Sequence, residues 1–561
     1  MHAAAKVLAH TFVVHCGFAC RRRLSGNNFM TAIIDQNQAA APSGFWVLLT
    51  SSLVSSLIML DSNIVAVSLP AMGRSLGASF TDIQWVISAY VLTYASLLLA
   101  SGNYADLYGR KKSMIIGLLI FAVASVGCGL ATTSTLLNVA RGLQGIGGAF
   151  LLTASLAIIG NAFKGAERTR AFAFWGASLG IALAIGPIVG GIITSTIGWR
   201  WVFLVNIPAC AILIAATFKF IEESRDSSAT NLDFGGIVTF SGGLALLVWG
   251  LIDGNDAGWS SPTILIRLAA AAILFAVFVV VELRTPQPMV DFNLFKKDTF
   301  LGAVLAMIGY GASAQVMIFF LPLYLQNAYD FEPLIAGVAM IPFAIPMVAA
   351  PRMTARLASL YSGRALLTTG LAIAMVGDIL FAIFAYLHLP YYVFVLSMLV
   401  AGCGAGLLNG QTVKVISGAV PENRAGMASG LASTTRFIGI LVSVAVLGAI
   451  LSDVANRHFV IDATRLGLDK AAAEVAAKKV ISGDLEGMVA SAPESLRVTL
   501  RTTGLTAYSS GFSQASILAA VIALLACALT FHYVRFEDTA PVRRAPGAPI
   551  PCKTLDCKDP L

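Results

Sequence analysis

The chain has 561 residues, of which 57% are hydrophobic and only 12% are charged. A soluble protein carries about a quarter charged residues, so this composition excludes a soluble enzyme and makes lipid the solvent for most of the chain. The net charge of +8 reflects the basic loops described below and is a poor argument for a nucleic-acid partner.

Apolar runs of about 18 or more residues recur along nearly the whole chain, each long enough to cross a hydrocarbon core of about 30 Å. The sequence therefore predicts an all-α membrane protein with fourteen transmembrane helices, here called spans 1 to 14. The predicted spans are 45–70, 83–101, 113–132, 135–160, 171–195, 201–221, 234–253, 263–283, 299–321, 333–351, 365–387, 390–411, 426–451 and 512–534.

Basic residues alternate between the loops. About sixteen Lys and Arg lie at or after the ends of even-numbered spans, whereas the short loops after odd-numbered spans carry only Arg74, Arg200 and Arg267. Since basic loops stay on the cytoplasmic side, this asymmetry predicts an even number of spans with both termini cytoplasmic. It also favours a multi-pass protein of the bacterial inner membrane.

The order of spans predicts two six-helix halves, 44–221 and 299–534, separated by an extra pair of spans with linkers in 222–298. Residues 1–43 and 535–561 are predicted cytoplasmic segments, and Met30 is an alternative start. The long loop 452–511 contains an Ala-rich stretch from Leu468 to Val480 that predicts an amphipathic helix. Either an outer cap or a solvated spacer fits that loop.

Span 1 places Asp61 deep inside an apolar helix. A lone carboxylate in a membrane costs several kcal/mol unless it is paired, hydrated or protonated, so its presence indicates a use as a proton carrier or as a partner for a cationic substrate. A structural carboxylate bonded to a neighbouring helix is the alternative. On span 2, Trp85 and Tyr90 are candidates for the lining of an apolar binding cavity, although single aromatics more often serve packing.

The loop after span 2 has the spacing G-x-x-x-D-x-x-G-R-K. Its members are Gly102, Asp106, Gly109, Arg110 and Lys111. Gly102 permits close helix contact, Gly109 permits a tight turn, and Asp106 lies where a cation or a helix N-terminus can hold it. The pattern predicts a charged latch that gates the cytoplasmic side; an ordinary basic loop would leave the Gly and Asp spacing to chance.

Span 4 carries Arg141 and Gln144, and Gln144 is a candidate for substrate binding. At 1.5 Å rise per residue, Arg141 and Asp61 differ in depth by roughly 5 Å, so contact between them is feasible and would make proton release sensitive to conformation. A purely structural arginine is the alternative.

Span 5 is rich in glycine and contains one proline. Glycines four apart let another backbone approach closely, and the proline bends the helix. The pattern predicts a pliant seam between the halves, or else a plain packing face, formed by Gly176, Gly180, Gly186, Pro187, Gly190 and Gly191.

The second half contributes three candidates. Tyr310 on span 9 is a candidate for the cavity lining. Asp378 on span 11 is the other acidic residue deep inside a predicted span, at a depth similar to that of Arg436 on span 13. A supporting salt bridge and a coupling site are both open for this pair.

Together these motifs resemble those of the fourteen-helix drug:proton antiporters (EmrB/QacA-type) of the major facilitator superfamily. The resemblance implies two six-helix halves plus two central helices, and proton-coupled efflux of amphipathic, often cationic compounds. It implies no cofactor, because a proton gradient supplies the energy, and small molecules, protons and the bilayer as partners. The loop after span 10 keeps Gly363 and Arg364 but has Leu360 where an acidic residue would match Asp106.

Other readings stay open. Export of a native metabolite or solute uptake would use the same fold, and a periplasmic adaptor could bind the long loop. A membrane enzyme or sensor has no support from a nucleotide motif, a metal-ligand cluster or a nucleophile with its base at recognisable spacing. The cysteine spacing shows neither a disulfide framework nor a zinc site, and Cys552 and Cys557 are the only pair with metal-binding potential.

Overall fold

The computed structural model describes residues 42–226, 233–286, 288–420 and 425–539, and these contain helices joined by short connections. Met30, Cys552, Cys557 and most of both predicted terminal segments lie outside the described residues. No strand occurs in the described part of the chain.

Fourteen helices in the described residues are long and apolar enough to cross a membrane, which confirms the predicted number. The termini of the described chain lie at one end of the bundle, here called the terminal end, and the 452–511 region lies at the other, called the loop end. The spans are Gly44–Leu76, Phe80–Tyr108, Arg110–Gly129, Ser134–Ala162, Arg170–Thr196, Trp201–Phe220, Phe234–Ala257, Pro262–Arg284, Asp298–Asn327, Pro333–Ala350, Gly363–Tyr386, Tyr391–Gly418, Gly430–Arg465 and Glu494–Tyr533.

Local capping explains several span starts. Ser79 and Asp82 form a capping box at the start of span 2, and Thr133 and Ser261 accept hydrogen bonds from backbone N–H groups at the starts of spans 4 and 8. Such caps satisfy donors that the first helical turn leaves without partners.

Span 9 is not a regular α-helix. Residues Asp298–Gly309 and Met317–Asn327 are α-helical, but Tyr310–Gln315 between them form a π-helical turn. A π-turn is rare and frequently marks a functional position in a helix. Tyr310 was a predicted cavity-lining residue, but the π-helical turn that begins there was not predicted.

Spans 7 and 8 pack on each other, and span 7 also contacts spans 2 and 13. Spans 2 and 13 belong to different halves of the chain. The extra pair therefore covers one side of the interface between the halves.

The 452–511 region is folded. Span 13 and span 14 continue beyond their predicted ends and are joined through short helices at Lys470–Ile481 and Leu485–Ala490. We call this region the cap; Phe459, Ala477 and Met488 belong to its own hydrophobic core. Packing of this kind shows that the region is folded; its position outside the membrane stays a prediction.

Hydrogen bonds between the two halves gather at the loop end. The described residues show four from or to side chains: Gln84 Nε2 donates to the Val444 carbonyl, Gln326 Nε2 to the Val67 carbonyl, Arg74 Nη1 to the Gly483 carbonyl, and the Leu334 amide to Ser195 Oγ, at 2.8–3.2 Å. The structure is therefore closed at the loop end, whereas at the terminal end the described residues show no such bonds between the halves.

Candidate functional site

The centre of the first half contains a buried polar cluster around Asp61. The Asp61 side chain is completely buried, and its two oxygens face spans 4 and 6. Arg141 Nη1 donates to Oδ2 at 2.8 Å, while Gln144 Nε2 and Asn206 Nδ2 donate to Oδ1 at 3.0 and 2.7 Å. Three donors, one of them charged, therefore stabilise the ionised carboxylate.

Arg141 is held on every side. Its Nε donates to the Val86 carbonyl at 3.0 Å, its Nη1 also donates to Gln144 Oε1 at 2.6 Å, and its guanidinium lies 4.2 Å from the centre of the Tyr90 ring. Only 1% of Arg141 is exposed. The structure thus brings Asp61, Arg141 and Gln144 together, as the depth argument anticipated, and adds Tyr90 as a cation–π partner.

Two members of this cluster were missed as site residues. Asn206 begins the second part of span 6 and contacts Asp61, and Ser125 on span 3 accepts a hydrogen bond from Gln144 Nε2 at 3.0 Å. An amide side chain near the start of an apolar span was a usable signal for Asn206. Ser125 gave no signal, because serine is common in membrane helices.

The span 5 glycines divide between two contacts. A side chain at Gly190 would meet the Ile64 backbone at 2.8 Å, and one at Gly186 would meet Asn63 at 2.5 Å, so both glycines let span 5 approach span 1 next to Asp61. A side chain at Gly191 would meet the Pro333 carbonyl at 2.6 Å, and one at Gly337 would meet the Pro187 carbonyl at 2.2 Å. Gly191, Pro187 and Gly337 therefore form a close seam between spans 5 and 10.

Two of the predicted seam glycines are different. A side chain at Gly176 would meet nothing within 4 Å, and one at Gly180 would make only ordinary contact with Val348 at 3.8 Å. The prediction that Gly176 belongs to the packed face is wrong, because Gly176 lies on an exposed face of span 5, whereas its neighbour Trp175 donates a hydrogen bond to Ser55 on span 1.

The predicted cavity aromatics lie in different surroundings. Trp85 is half-buried and packs against the main hydrophobic core. Tyr90 covers Arg141, as described above. Tyr310 is completely buried in the π-turn of span 9, and its hydroxyl has no hydrogen-bond partner among the described residues.

Asp378 and Arg436 do not form a salt bridge. Asp378 is completely buried, and neither of its oxygens has a hydrogen-bond partner in the described part of the chain. Arg436 lies beside the Phe437 ring, 4.8 Å from its centre, and its buried Nε also lacks a partner there. Similar depth did not bring the two together, because depth along the membrane does not fix which face of a helix a side chain occupies.

The residues of the predicted latch contact one another and the segment that follows span 6. Asp106 and Arg110 form an ion pair of 2.8 Å, whereas the N-terminus of span 3 is capped by Glu223, which follows span 6. Glu223 accepts hydrogen bonds from the amides of Lys111 and Lys112 at 3.0 and 3.1 Å. Asp106 thus pairs with Arg110, a cation of the same motif. Glu223, which was not predicted, caps the N-terminus of the helix.

Gly109 and Gly102 differ in whether their position requires glycine. Gly109 has a φ of +120°, and a side chain there would meet the Glu223 carboxylate at 2.6 Å, so the turn requires glycine. Gly102 would place a side chain 3.7 Å from Thr153, an ordinary contact. The expected need for glycine at Gly102 is therefore not seen.

The second half has a similar contact at the start of span 11, with a hydroxyl in place of the carboxylate that caps span 3. The short helix Phe536–Thr539 follows span 14 and covers the start of span 11, where the Arg364 amide donates to Thr539 Oγ1 at 3.2 Å. A side chain at Gly363 would meet Thr539 at 3.1 Å, much as Gly109 meets Glu223. Leu360 is exposed, so the second loop has a hydroxyl partner and no carboxylate latch.

Comparison with protein families and curated proteins gives one consistent result. Residues 51–444 match the family described as Major Facilitator Superfamily. The chain is 33% identical to the multidrug resistance protein Stp of Mycobacterium tuberculosis over 72% of this chain and 75% of that protein. It is 32% identical to the methylenomycin A resistance protein of Streptomyces coelicolor, covering 74% and 87%, and 29% identical to the tetracenomycin C resistance and export protein of Streptomyces glaucescens, covering 89% and 93%.

Solved structures agree on the fold. A bacterial homolog of the human lysosomal transporter Spinster, in an inward-facing and unoccupied conformation, has a TM-score of 0.59 at 19% identity, covering 89% of this chain and 99% of that chain. A D-xylose-proton symporter has a TM-score of 0.57 at 14% identity, covering 88% and 98%. At these identities the likeness concerns the fold alone.

Proposed function

The chain belongs to the Major Facilitator Superfamily, and we propose that it exports amphipathic, often cationic toxic compounds across the cytoplasmic membrane in exchange for protons. The observation that carries this proposal is the buried Asp61–Arg141 pair, an ionisable switch at the centre of the first half. The relatives that cover most of this chain are named for multidrug or antibiotic resistance and export, which supports efflux.

The proton would act on the ion pair itself. Asp61 accepts hydrogen bonds from Arg141, Gln144 and Asn206, so it can be protonated only if the contact with Arg141 is given up. Because Arg141 is on span 4 and donates to Oδ2, a proton on that oxygen would break the ion pair and loosen span 1 from span 4, while Oδ1 could still accept from Gln144 and Asn206. Proton binding would thereby change the packing of span 1 inside the half.

That change is placed to affect the contact between halves. Gly186 and Gly190 pack span 5 against span 1 within one turn of Asp61, and Gly191 packs the same span 5 against span 10. Span 5 therefore connects the protonation site to the seam. Rocking of the two halves about this seam would give alternating access to a midplane site.

The orientation follows from the basic loops. The terminal end carries the Arg110 to Lys112 loop and would face the cytoplasm, so both termini are cytoplasmic and the cap faces outward. Asp106, Arg110 and Glu223 would hold the cytoplasmic ends of spans 2 and 3. A periplasmic adaptor, where one takes part, would meet the cap, and the proton gradient is the only energy source required.

Replacement of Asp61 by Asn tests the proposal. In liposomes holding the purified protein and an imposed pH gradient, we expect Asp61→Asn to abolish proton-driven transport of ethidium, because the amide cannot be protonated. Asp253→Asn is the matched control: Asp253 is also in a membrane helix and pairs with Arg267 at 2.6 Å, away from the cluster. Transport by Asp61→Asn at the wild-type rate would remove the central assignment.

The direction of ethidium transport distinguishes the alternative functions that the same fold could have. An exporter of drugs accumulates ethidium in everted vesicles, whereas an importer depletes it, and an exporter of a native metabolite leaves it unmoved. Loss of drug transport with the gradient intact would favour the metabolite reading.

A further inference from the structure

Arg436 is a membrane cation without a counterion among the described residues. It lies about two turns after the start of span 13 at Gly430, makes no ion pair or hydrogen bond with any described residue, and its Nε is buried without a partner there. Arg141 in the first half, by contrast, has a carboxylate, an amide oxygen, a carbonyl and an aromatic ring around it. Ionisable groups in membrane helices normally pair or mark a solute path.

Two buried hydroxyls share this position. Tyr94 on span 2 and Tyr310 on span 9 are both completely buried, and neither hydroxyl has a partner among the residues described. The Tyr94 ring packs edge-on against Phe437 at 4.6 Å between ring centres, and the Arg436 guanidinium lies 4.8 Å from the centre of the same Phe437 ring. Buried polar groups without partners are uncommon in native structures.

The three side chains come from both halves of the protein. Span 2 supplies Tyr94 from the first half, and spans 9 and 13 supply Tyr310 and Arg436 from the second. The π-turn begins at Tyr310, and its neighbour Gly311 lets span 9 approach the Arg436 carbonyl, where an added side chain would come within 2.3 Å. The irregular backbone therefore brings the residue that follows Tyr310 against the backbone of Arg436.

We propose that Arg436, Tyr94 and Tyr310 form a subsite that binds the acidic group, a carboxylate or an ionised phenol, of an amphipathic substrate. The guanidinium would supply the charge and a planar pair of donors, and the two hydroxyls would supply further donors. This proposal rests on the proposed function and extends it from cationic compounds to acidic ones.

The chemistry explains why the cation has no protein partner. A carboxylate built into the protein would compete with the substrate for Arg436, and the substrate would have to displace it. Asp61 cannot serve as that competitor, because its oxygens are already bound by Arg141, Gln144 and Asn206. The vacant donors at the interface of the halves thus suit a transient anionic ligand.

Equilibrium binding to the full-length protein in phosphatidylcholine nanodiscs tests this subsite. The probes are 2-naphthoate, its neutral carboxamide and cationic ethidium. We expect Arg436→Gln to weaken 2-naphthoate binding about tenfold or more, because a hydrogen bond to a charged group is lost. Binding of the carboxamide and of ethidium should change less than about threefold, and Arg436→Lys should retain most of the affinity for 2-naphthoate.

Further variants keep the test decisive. Tyr94→Phe and Tyr310→Phe should each weaken 2-naphthoate binding about threefold. Arg267→Gln, which removes an arginine on span 8 outside the cluster, is the matched control and should leave all three probes unchanged. Equal loss of all probes in the Tyr variants, or unchanged 2-naphthoate binding in Arg436→Gln with ethidium binding intact, would overturn the proposal.

The acidic group could also come from a lipid. Adding phosphatidylglycerol to the nanodiscs should leave 2-naphthoate binding unchanged; competition by that lipid would instead assign the subsite to a phosphate headgroup and overturn the substrate assignment. Failure of the proposed function is distinguishable, because it would abolish gradient-driven transport of every probe while the binding dependence on Arg436 persisted.

Discussion

The two halves surround the ionisable side chains of their membrane spans differently. In the first half, Asp61 and Arg141 are surrounded by partners; in the second half, Asp378 and Arg436 have no hydrogen-bond or ionic partner among the described residues. A paired charge in the bundle is stabilised by its partners, whereas an unpaired one costs free energy. An anionic ligand could offset that cost for the arginine, and a proton could offset it for the carboxylate. This difference is the basis for our proposal that coupling belongs to the first half and recognition of polar substrate groups to the second.

Arg141→Gln should give the largest effect in a test of this contrast. It leaves the Asp61 carboxylate buried without its cation, which costs about 3–5 kcal/mol of stability. Thermal unfolding of the purified protein measures the loss, and the double variant Asp61→Asn with Arg141→Gln should recover part of it. If Arg141→Gln unfolds like the wild type, the first half does not depend on the pair.

Asp378→Leu should act in the opposite direction. Because both oxygens of this carboxyl are buried without partners, replacing it by an apolar group of similar size should raise stability by about 1–3 kcal/mol. The same thermal assay compares it with Asp61→Leu, which should destabilise. A loss of stability in Asp378→Leu would show that the carboxyl has a partner, and the contrast between the halves would fail.

The contacts of Glu223 and Thr539 at the terminal end should give the smallest change in stability. Glu223→Ala removes a charged cap from the start of span 3 and should cost about 0.5–2 kcal/mol, whereas Thr539→Ala removes only one hydroxyl contact and should cost less. Asp106→Asn is the control, since a partly exposed pair one turn apart is worth about 0.3–0.5 kcal/mol. Equal losses at Glu223 and Thr539 would show that the charge adds nothing.

Much of the fold could be predicted from the sequence because the membrane imposes simple rules. Apolar runs gave the number of spans, and helical rise placed Asp61 and Arg141 at compatible depths. The same depth argument left the relation of Asp378 to Arg436 undecided, because it contains no information about helix rotation.

Other features could not be predicted for local reasons. Glu223 follows a predicted span, where acidic residues carry no topological signal, and its role depends on a contact 112 residues away in the chain. The π-turn at Tyr310 arises from the packing of span 9 against span 13 and has no sequence signature that we recognise. The cap helices were visible as an Ala-rich stretch, but their fold depends on extensions of spans 13 and 14 that are less apolar than the spans themselves.

The unbroken helices beneath the cap have a mechanical consequence. The last membrane helix runs for 37 residues, which at 1.5 Å per residue is about 55 Å, so roughly 25 Å projects past a hydrocarbon core of about 30 Å. A tilt of about 10° at the midplane would move the projecting tip, which lies about 40 Å from the midplane, by roughly 7 Å. A spin label at the exposed Val498 on that tip would therefore act as a lever that magnifies the rocking of its half into a measurable displacement.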